Sequence, residues 1–299
     1  DDFLALIASH PVTPIAIDEA HCISMWGHQF RPEYRSLAVL KERLPGVPMV
    51  ALTATATPDV RDDIARQLDL ADPAVYVGSF NRENLRYAVI AKGEDPYAEL
   101  RTCLQDRKAG AGIVYTATRD GAETLSARLQ ADGMAALPYH AGMTAAARAR
   151  TQDRFLHGKA GVVCATSAFG MGIDKPDVRF VVHYDMPDTL EAYYQESGRA
   201  GRDGATGDCI LFYHDDDAKR LRSFIDRDLP SEFRRDVARS KLQSMVEYCT
   251  ATGCRRERLL AYFGEDFNAP CGGCDACAPQ TGKVRQGRRK RGAVRSASG

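Results

Sequence analysis

The chain has 299 residues, 44% hydrophobic and 27% charged, with 25 glycines, 14 prolines and nine cysteines. That is enough apolar material for about two domain cores and excludes a collagen-like or wholly disordered chain. No apolar run approaches about 18 residues, which excludes a membrane-spanning helix, and Asp1-Asp2-Phe3 reads as neither a signal peptide nor a natural N-terminus.

The zero net charge hides an asymmetry. After Cys277 stand seven basic residues (Lys283, Arg285, Arg288, Arg289, Lys290, Arg291 and Arg295) and no acids, while residues 1–277 carry 33 basic against 40 acidic residues. A basic tail on an acidic body reads either as a polyanion-binding arm or as a solvated terminus. Cys22, Cys103, Cys164, Cys209 and Cys249 stand singly; Cys254 precedes the tight run Cys271-x2-Cys274-x2-Cys277. An odd total with one cluster points to a reducing cytoplasm and a metal site rather than disulfides.

In chain order, the apolar runs predict strands over Thr13–Asp18, Met49–Thr53, Gly112–Thr116, Gly161–Ala165, Arg179–Tyr184 and Asp208–Tyr213. Amphipathic periodicity predicts helices between them over Pro32–Leu44, Pro58–Leu68 (with Thr57 as N-cap), Asp120–Ala131, Ala145–His157 and Leu190–Arg199. Alternation of this kind is the pattern of an α/β fold whose parallel sheets are covered on both faces. Periodicity breaks at residues 72–84, where a linker is expected. From Asp215 onward only helices are predicted, over Lys219–Asp228, Glu232–Thr250 and Arg255–Phe263, before the cysteine run and the tail.

Five segments are candidates for chemistry. Ile15-Ala16-Ile17-Asp18-Glu19-Ala20-His21 ends an apolar strand in two acids, at the sheet edge where ligands bind in open α/β folds. Asp18 is a candidate Mg²⁺ holder and Glu19 a candidate base for an attacking water. Thr53 and Thr55 place hydroxyls at a second strand end. In Gln195-Glu196-Ser197-Gly198-Arg199-Ala200-Gly201-Arg202-Asp203-Gly204, two guanidinium forks sit in a glycine-rich bend suited to phosphate oxygens. Trp26, Phe30 and Tyr34, with His28 and Arg31, form an aromatic loop directly after the acidic pair, of a kind that stacks on bases without regard to sequence. Cys254, Cys271, Cys274 and Cys277 suit one tetrahedral ion with four thiolates. The same run also resembles the start of an iron–sulfur ligand series, and Cys249 is a rival fourth ligand.

Taken together, these segments resemble the ordered motifs of superfamily 2 helicases. Asp18-Glu19-Ala20-His21 is similar to motif II and Thr53-Ala54-Thr55 to motif III. Ile113–Thr116 with Arg119 is similar to motif IV, Ala165–Asp174 to motif V, and Gln195–Arg202 to motif VI. Ala20–Tyr34 resembles the aromatic-rich loop of RecQ DNA helicases, and Cys254-Arg255-Arg256 with Tyr262-Phe263-Gly264-Glu265 and Pro270-Cys271 resembles their zinc site. The resemblance implies RecA-like parallel sheets followed by a small helical zinc-binding domain. Its divisions would be 1–78 (the rear part of a first RecA-like domain), 79–214 (a second), 215–279 (the zinc domain) and 280–299 (a disordered basic tail).

It implies ATP-dependent 3′–5′ unwinding of DNA, single-stranded or at duplex junctions, in recombination and repair, in the cytoplasm and near a bacterial nucleoid. Asp18, Glu19, His21, Gln195, Arg199 and Arg202 would be catalytic. Asp18, Thr53, Thr55, Asp174, Arg199 and Arg202 would contact Mg²⁺ or ATP, and Cys254, Cys271, Cys274 and Cys277 would hold structural Zn²⁺. Trp26, His28, Phe30, Arg31, Tyr34, Arg119, His140, Thr166 and Phe169 would contact DNA. One departure stands out: Gly-x-x-x-x-Gly-Lys-Ser/Thr, the phosphate-binding loop, occurs nowhere in the 299 residues. The chain therefore reads as a helicase fragment inactive by itself, or alternatively as a non-catalytic, zinc-stabilised nucleic-acid-binding module.

Overall fold

The computed structural model describes residues 14–107, 110–170 and 173–278, together with Leu6, Ser9 and His10. Thr13, Met171, Gly172 and the basic tail lie outside the described residues.

Strands β1 (Ile15–Ile17) and β2 (Met49–Ala51) pair in parallel, with Ile15 opposite Met49 and Ile17 opposite Ala51. Between them run a 3₁₀ turn (Ala20–Ile23), helix α1 (Pro32–Arg35), a second 3₁₀ turn (Ser36–Ala38) and helix α2 (Val39–Arg43). The single helix expected over Pro32–Leu44 is thus three short pieces. No residue of those pieces is buried, so no apolar face holds one continuous helix together. Helix α3 (Pro58–Gln67) follows; Thr57 occupies its N-cap position without a side-chain capping bond. Ile17, Ala20, Ile23, Val60, Ile64 and Leu68 close a small core.

The larger sheet begins with β3 (Leu85–Ala91), helix α4 (Pro96–Gln105), β4 (Ala111–Tyr115), helix α5 (Arg119–Ala131) and β5 (Ala136–Tyr139). It continues with helix α6 (Ala145–Leu156), β6 (Val162–Ala165), β7 (Val178–His183), helix α7 (Leu190–Ser197) and β8 (Gly207–Tyr213). All six strands are parallel in the order β3-β8-β7-β4-β6-β5. The period-2 geometry of a strand sends successive residues to opposite faces. Ile113, Val163, Val181 and Leu211 accordingly enter one core, and Val114, Cys164, Val182 and Ile210 the other.

Helices α8 (Asp215–Asp228), α9 (Glu232–Thr250) and α10 (Arg255–Tyr262) complete the described chain. α8 starts four residues earlier than the periodicity predicts, because His214 and Asp217 form a reciprocal capping box ahead of it. Met245, Tyr248, Leu259 and Phe263 share one core with Leu85 and Tyr193, so the helices after residue 215 lie on the sheet face. The cysteine loop is also tied to the sheet edge: Tyr87 N donates to Gly273 O at 3.3 Å, and Asp275 N to Tyr87 O at 2.9 Å.

Candidate functional site

At the carboxyl end of β1, Asp18 is exposed and its Oδ1 accepts the Glu19 N–H at 2.8 Å. Glu19 takes a left-handed conformation (φ 50°), which turns the chain into the 3₁₀ segment carrying His21. His21 is fully buried; its Nδ1 lies 2.9 Å from Thr53 Oγ1 and 3.3 Å from Glu19 Oε2. Burial is the main cause that pushes His21 down to about 4, so the ring is neutral near pH 7 and its contact with Thr53 Oγ1 is a hydrogen bond, not part of an ion pair. Burial, then the Asp18 charge, raises the Glu19 carboxyl above its ordinary value, while Arg31 and Arg199 pull it the other way. Asp18, Glu19, His21 and Thr53 thus converge. Thr55 joins them only through its backbone N–H, which donates to Thr53 Oγ1 at 3.3 Å; its own Oγ1 is buried and has no partner among the described residues.

The Arg199 charge felt at Glu19 comes from the other sheet. Arg199 follows α7 and is buried, its Nη1 donating to Gly170 O at 2.7 Å. Arg202 Nη1 donates to Ile173 O and to Asp174 Oδ1, both at 3.0 Å, so the expected nucleotide contact Asp174 is paired with an arginine instead. Gln195 is half-buried on α7. Beneath it, His183 Nε2 meets Glu196 Oε2 at 2.8 Å, a buried pair that the sequence does not reveal because β7 and α7 bring the partners together.

The aromatic loop is anchored from below, where buried Ser24 donates to Asp63 Oδ2 at 2.6 Å and accepts from Trp26 N. Gly27 permits the close turn: a Cβ there would lie 2.3 Å from His21 O. Trp26 is 44% exposed and meets Phe233 of α9 edge-on at 5.0 Å. Phe30 lies under the guanidinium groups of Arg35 and Arg234, each at 5.3 Å. Arg31 is exposed, and Tyr34 is half-buried against the small core. His28 stacks on His21 at 4.6 Å with both ring nitrogens buried and without a partner among the described residues, and burial pushes it down to about 3. It packs inward rather than presenting itself to a ligand.

The remaining expected DNA contacts divide. Arg119 is exposed and Thr166 half-buried. His140 is buried, with Nε2 2.9 Å from Glu123 Oε1. Phe169 needs a correction: it is fully buried, edge-on to Tyr139 at 4.7 Å and Phe155 at 5.7 Å. It is a core residue with no face for a base, the apolar side chain of Phe being worth more inside than out.

Cys254, at the N-cap of α10, meets Cys271, Cys274 and Cys277 with all four Sγ atoms within 4.8 Å of one another. A tetrahedral ion with Zn–S near 2.3 Å needs sulfurs about 3.8 Å apart, and Cys254 and Cys274 stand at 4.0 Å. Arg255 N–H points at Cys274 Sγ (3.4 Å) and Gly273 N–H at Cys271 Sγ (3.5 Å), orienting the donors as outer-shell groups do. A cluster of several irons spreads its thiolates over different metal atoms, which this tight set does not match. Cys249 is buried on α9 and outside the group.

Comparison with known proteins agrees with this arrangement. Residues 95–204 match the family described as "Helicase conserved C-terminal domain", and 215–278 the one described as "RecQ zinc-binding". The chain is 44% identical over 275 residues to the ATP-dependent DNA helicase RecQ of Pasteurella multocida, covering 92% of this chain and 43% of that protein. Against the ATP-dependent DNA helicase RecQ of Bacillus subtilis it is 44% identical over 278 residues, covering 92% and 46%. The chain thus spans less than half the length of these relatives. Among solved structures, Dbp5 of S. cerevisiae bound to RNA and ADP BeF3 superimposes with a TM-score of 0.59 at 23% identity, over 80% of this chain and 67% of that one. That likeness shows the fold, a RecA-like α/β sheet with helices. With a four-cysteine zinc-binding unit on the same chain, the matches show that it belongs to the RecQ family of superfamily 2 helicases.

Proposed function

We propose that the chain is a fragment of an ATP-dependent 3′–5′ DNA helicase of the RecQ type, acting in the cytoplasm in recombination and repair. Its divisions are 1–78, 79–214 and 215–279, followed by a basic tail. The observation that carries this reading is the convergence of Glu19, His21 and Thr53 at the ends of β1 and β2, with the Arg199 charge that follows α7 felt at Glu19. A carboxylate suited to activating water and an arginine suited to phosphate charge thus lie within electrostatic reach of one another. That is the arrangement phosphoryl transfer requires.

In this reading ATP is the substrate between the sheets, and Mg²⁺, held by Asp18, would neutralise phosphate charge. Glu19, its basicity raised by burial, accepts a proton from the attacking water. His21 stays neutral and, through Thr53 Oγ1, ties the ends of β1 and β2 together. Arg199 must leave Gly170 O to reach a phosphate; Arg202 must leave Asp174. Gln195 approaches from α7. Trp26, Phe30, Arg31 and Arg119 are the surface side chains best placed for DNA, either single-stranded or at junctions.

The second reading, a zinc-stabilised nucleic-acid-binding module without catalysis, is favoured by the missing Gly-x-x-x-x-Gly-Lys-Ser/Thr string. The two are separated by joining such a loop, on its natural strand, in frame ahead of Asp1. The helicase reading expects DNA-stimulated ATP turnover in that longer form, and Glu19→Gln should lower it by about 10²–10⁴-fold with ATP binding retained. A longer form that binds ATP and never turns it over would leave the binding module.

A further inference from the structure

The stretch around residues 79–84 reads in the sequence as a linker. In the structure it is the support on which the arginine-bearing loop rests. Arg82 Nη1 donates to Gly198 O at 3.3 Å, and its Nη2 to Ala200 O at 3.3 Å and Gly201 O at 3.0 Å. Asn84 Nδ2 donates to Gly201 O at 2.8 Å and Ala205 O at 2.7 Å, and Asn84 O accepts Gly207 N–H at 3.0 Å. Two side chains therefore hold four carbonyls of the loop that contains Arg199 and Arg202. The fit is close. Gly201 has φ 55°, and a Cβ there would lie 2.5 Å from Asn84 Nδ2.

The support is itself held from the zinc unit. Arg256, 4% exposed, donates from Nη1 to Arg82 O at 2.8 Å and from Nη2 to Glu83 O at 3.3 Å and Leu85 O at 2.6 Å. Glu265 accepts from Ser79 Oγ and Phe80 N, both at 2.6 Å, and Phe80 stacks on Phe263 at 4.6 Å. Arg256 is two residues after the metal ligand Cys254, in the first turn of α10.

We propose that Arg82 and Asn84 are positioning residues for the loop 198–205, and that Arg256 of the zinc unit positions them in turn. This rests on the reading of Arg199 and Arg202 as phosphate-facing groups. The physical reason is that a pinned carbonyl fixes its peptide plane. The 198–199 peptide precedes Arg199, and the 201–202 peptide precedes Arg202, so neither arginine can change its departure from the backbone while Arg82 holds both. Guanidinium-to-carbonyl bonds are charge-assisted and outlast ordinary loop bonds. The zinc unit thereby bears on the loop's geometry through a strap of about six residues.

Hydrogen–deuterium exchange read by mass spectrometry on the full, zinc-loaded chain tests this. Amides of the loop are bonded in the structure, among them Gly201 N to Val178 O at 2.8 Å, so the wild-type peptide over 198–207 should exchange slowly. Arg82→Gln should speed that peptide by about tenfold, the loss expected on removing a charged donor, while peptides over 162–165 and 254–262 and the zinc content stay unchanged. Arg82→Lys, which keeps the charge but one donor direction, should fall between. Arg256→Ala should loosen 79–85 and 198–207 together. Arg86→Ala, an exposed neighbour on β3, should change neither. If Arg256→Ala does not fold, Arg82→Gln and Asn84→Asp decide alone. Unchanged exchange over 198–207 in both would overturn the strap. The phosphate role of the arginines is decided separately by Arg199→Ala in the longer form: retained turnover would remove that role and leave the strap standing.

Discussion

At the scale of single residues, His28 shows most clearly how burial decides behaviour. Its ring stacks on His21 while both nitrogens are buried without a partner among the described residues. Burial pushes it down to about 3, below the ordinary 6.5. Between those values the unfolded chain binds a proton that the folded chain refuses, so stability falls as pH drops from above 6.5 toward 3. His21, pushed down to about 4 by the same cause, adds to that slope. His28→Phe keeps an aromatic ring on His21 and removes the orphaned nitrogens. It should raise stability at pH 7.5 by about 1 kcal/mol and by more at pH 5.5. Urea midpoints of the two proteins at both pH values check this, and a gap that closes on acidification would contradict it. The sequence places His28 in a loop of DNA-contacting residues, and nothing in its neighbours Gly27 and Gln29 signals that the ring turns inward. Asp18, Glu19 and His21 stand out in the sequence only beside the later motifs, because a strand ending in two acids is by itself equally a strand followed by an acidic helix N-terminus. Phe169 is misplaced by the sequence because its motif names it and only packing shows that it is covered.

At the scale of elements, the strands of the six-stranded sheet that face two cores are legible, and those at its edges are not. Gly161–Ala165 and Asp208–Tyr213 read as continuous apolar runs because β6 and β8 are buried on both faces. β3 is an edge strand with Arg86 exposed, and its polar interruption blends into the supposed linker. β5, the opposite edge, contains Pro138, which is tolerated there because one side of an edge strand needs no donor. α4 is missed although Asp95 caps it by accepting Ala98 N–H at 3.1 Å, ahead of Pro96 at the first helical position. The cysteine run was open in the sequence between Cys249 and Cys254 as fourth ligand, and only the N-cap placement of Cys254 on α10 settles the geometry. Elemental analysis should therefore find one zinc per chain in Cys249→Ser. Cys254→Ser should lose the metal and with it solubility, because metal binding is part of the folding free energy of such a unit. Full occupancy in Cys254→Ser would refute the ligand set.

On the scale of the whole molecule, charge and fold would divide the work of holding DNA under the proposed function. Residues 1–277 carry an excess of seven acids, so long-range attraction to a polyanion cannot come from the body as a whole. It has to come from local groups, such as Arg31 and Arg119, and from the seven basic residues after Cys277. If all seven engaged single-stranded phosphates, log K would fall against log[salt] with a slope of at most about −5 from that segment. Stacking on exposed Trp26 is far less sensitive to salt, at about 1–3 kcal/mol per base. Two deletions thus have different signatures. Removing residues 280–299 should flatten the salt dependence, whereas Trp26→Ala should weaken binding at every salt concentration and leave the slope unchanged. Anisotropy of a labelled oligonucleotide from 50 to 300 mM salt reads both at once, and competition with unrelated single strands should show no sequence preference. ATP and Mg²⁺ should alter neither curve in the 299-residue chain, since no Gly-x-x-x-x-Gly-Lys-Ser/Thr is present to hold the phosphates for Arg199 and Arg202. A coupled assay with single-stranded DNA should register no turnover for the same reason. Turnover abolished by Glu19→Gln would show that other residues of this chain build the phosphate site, and an unchanged slope after the tail is removed would make the tail a solvated terminus.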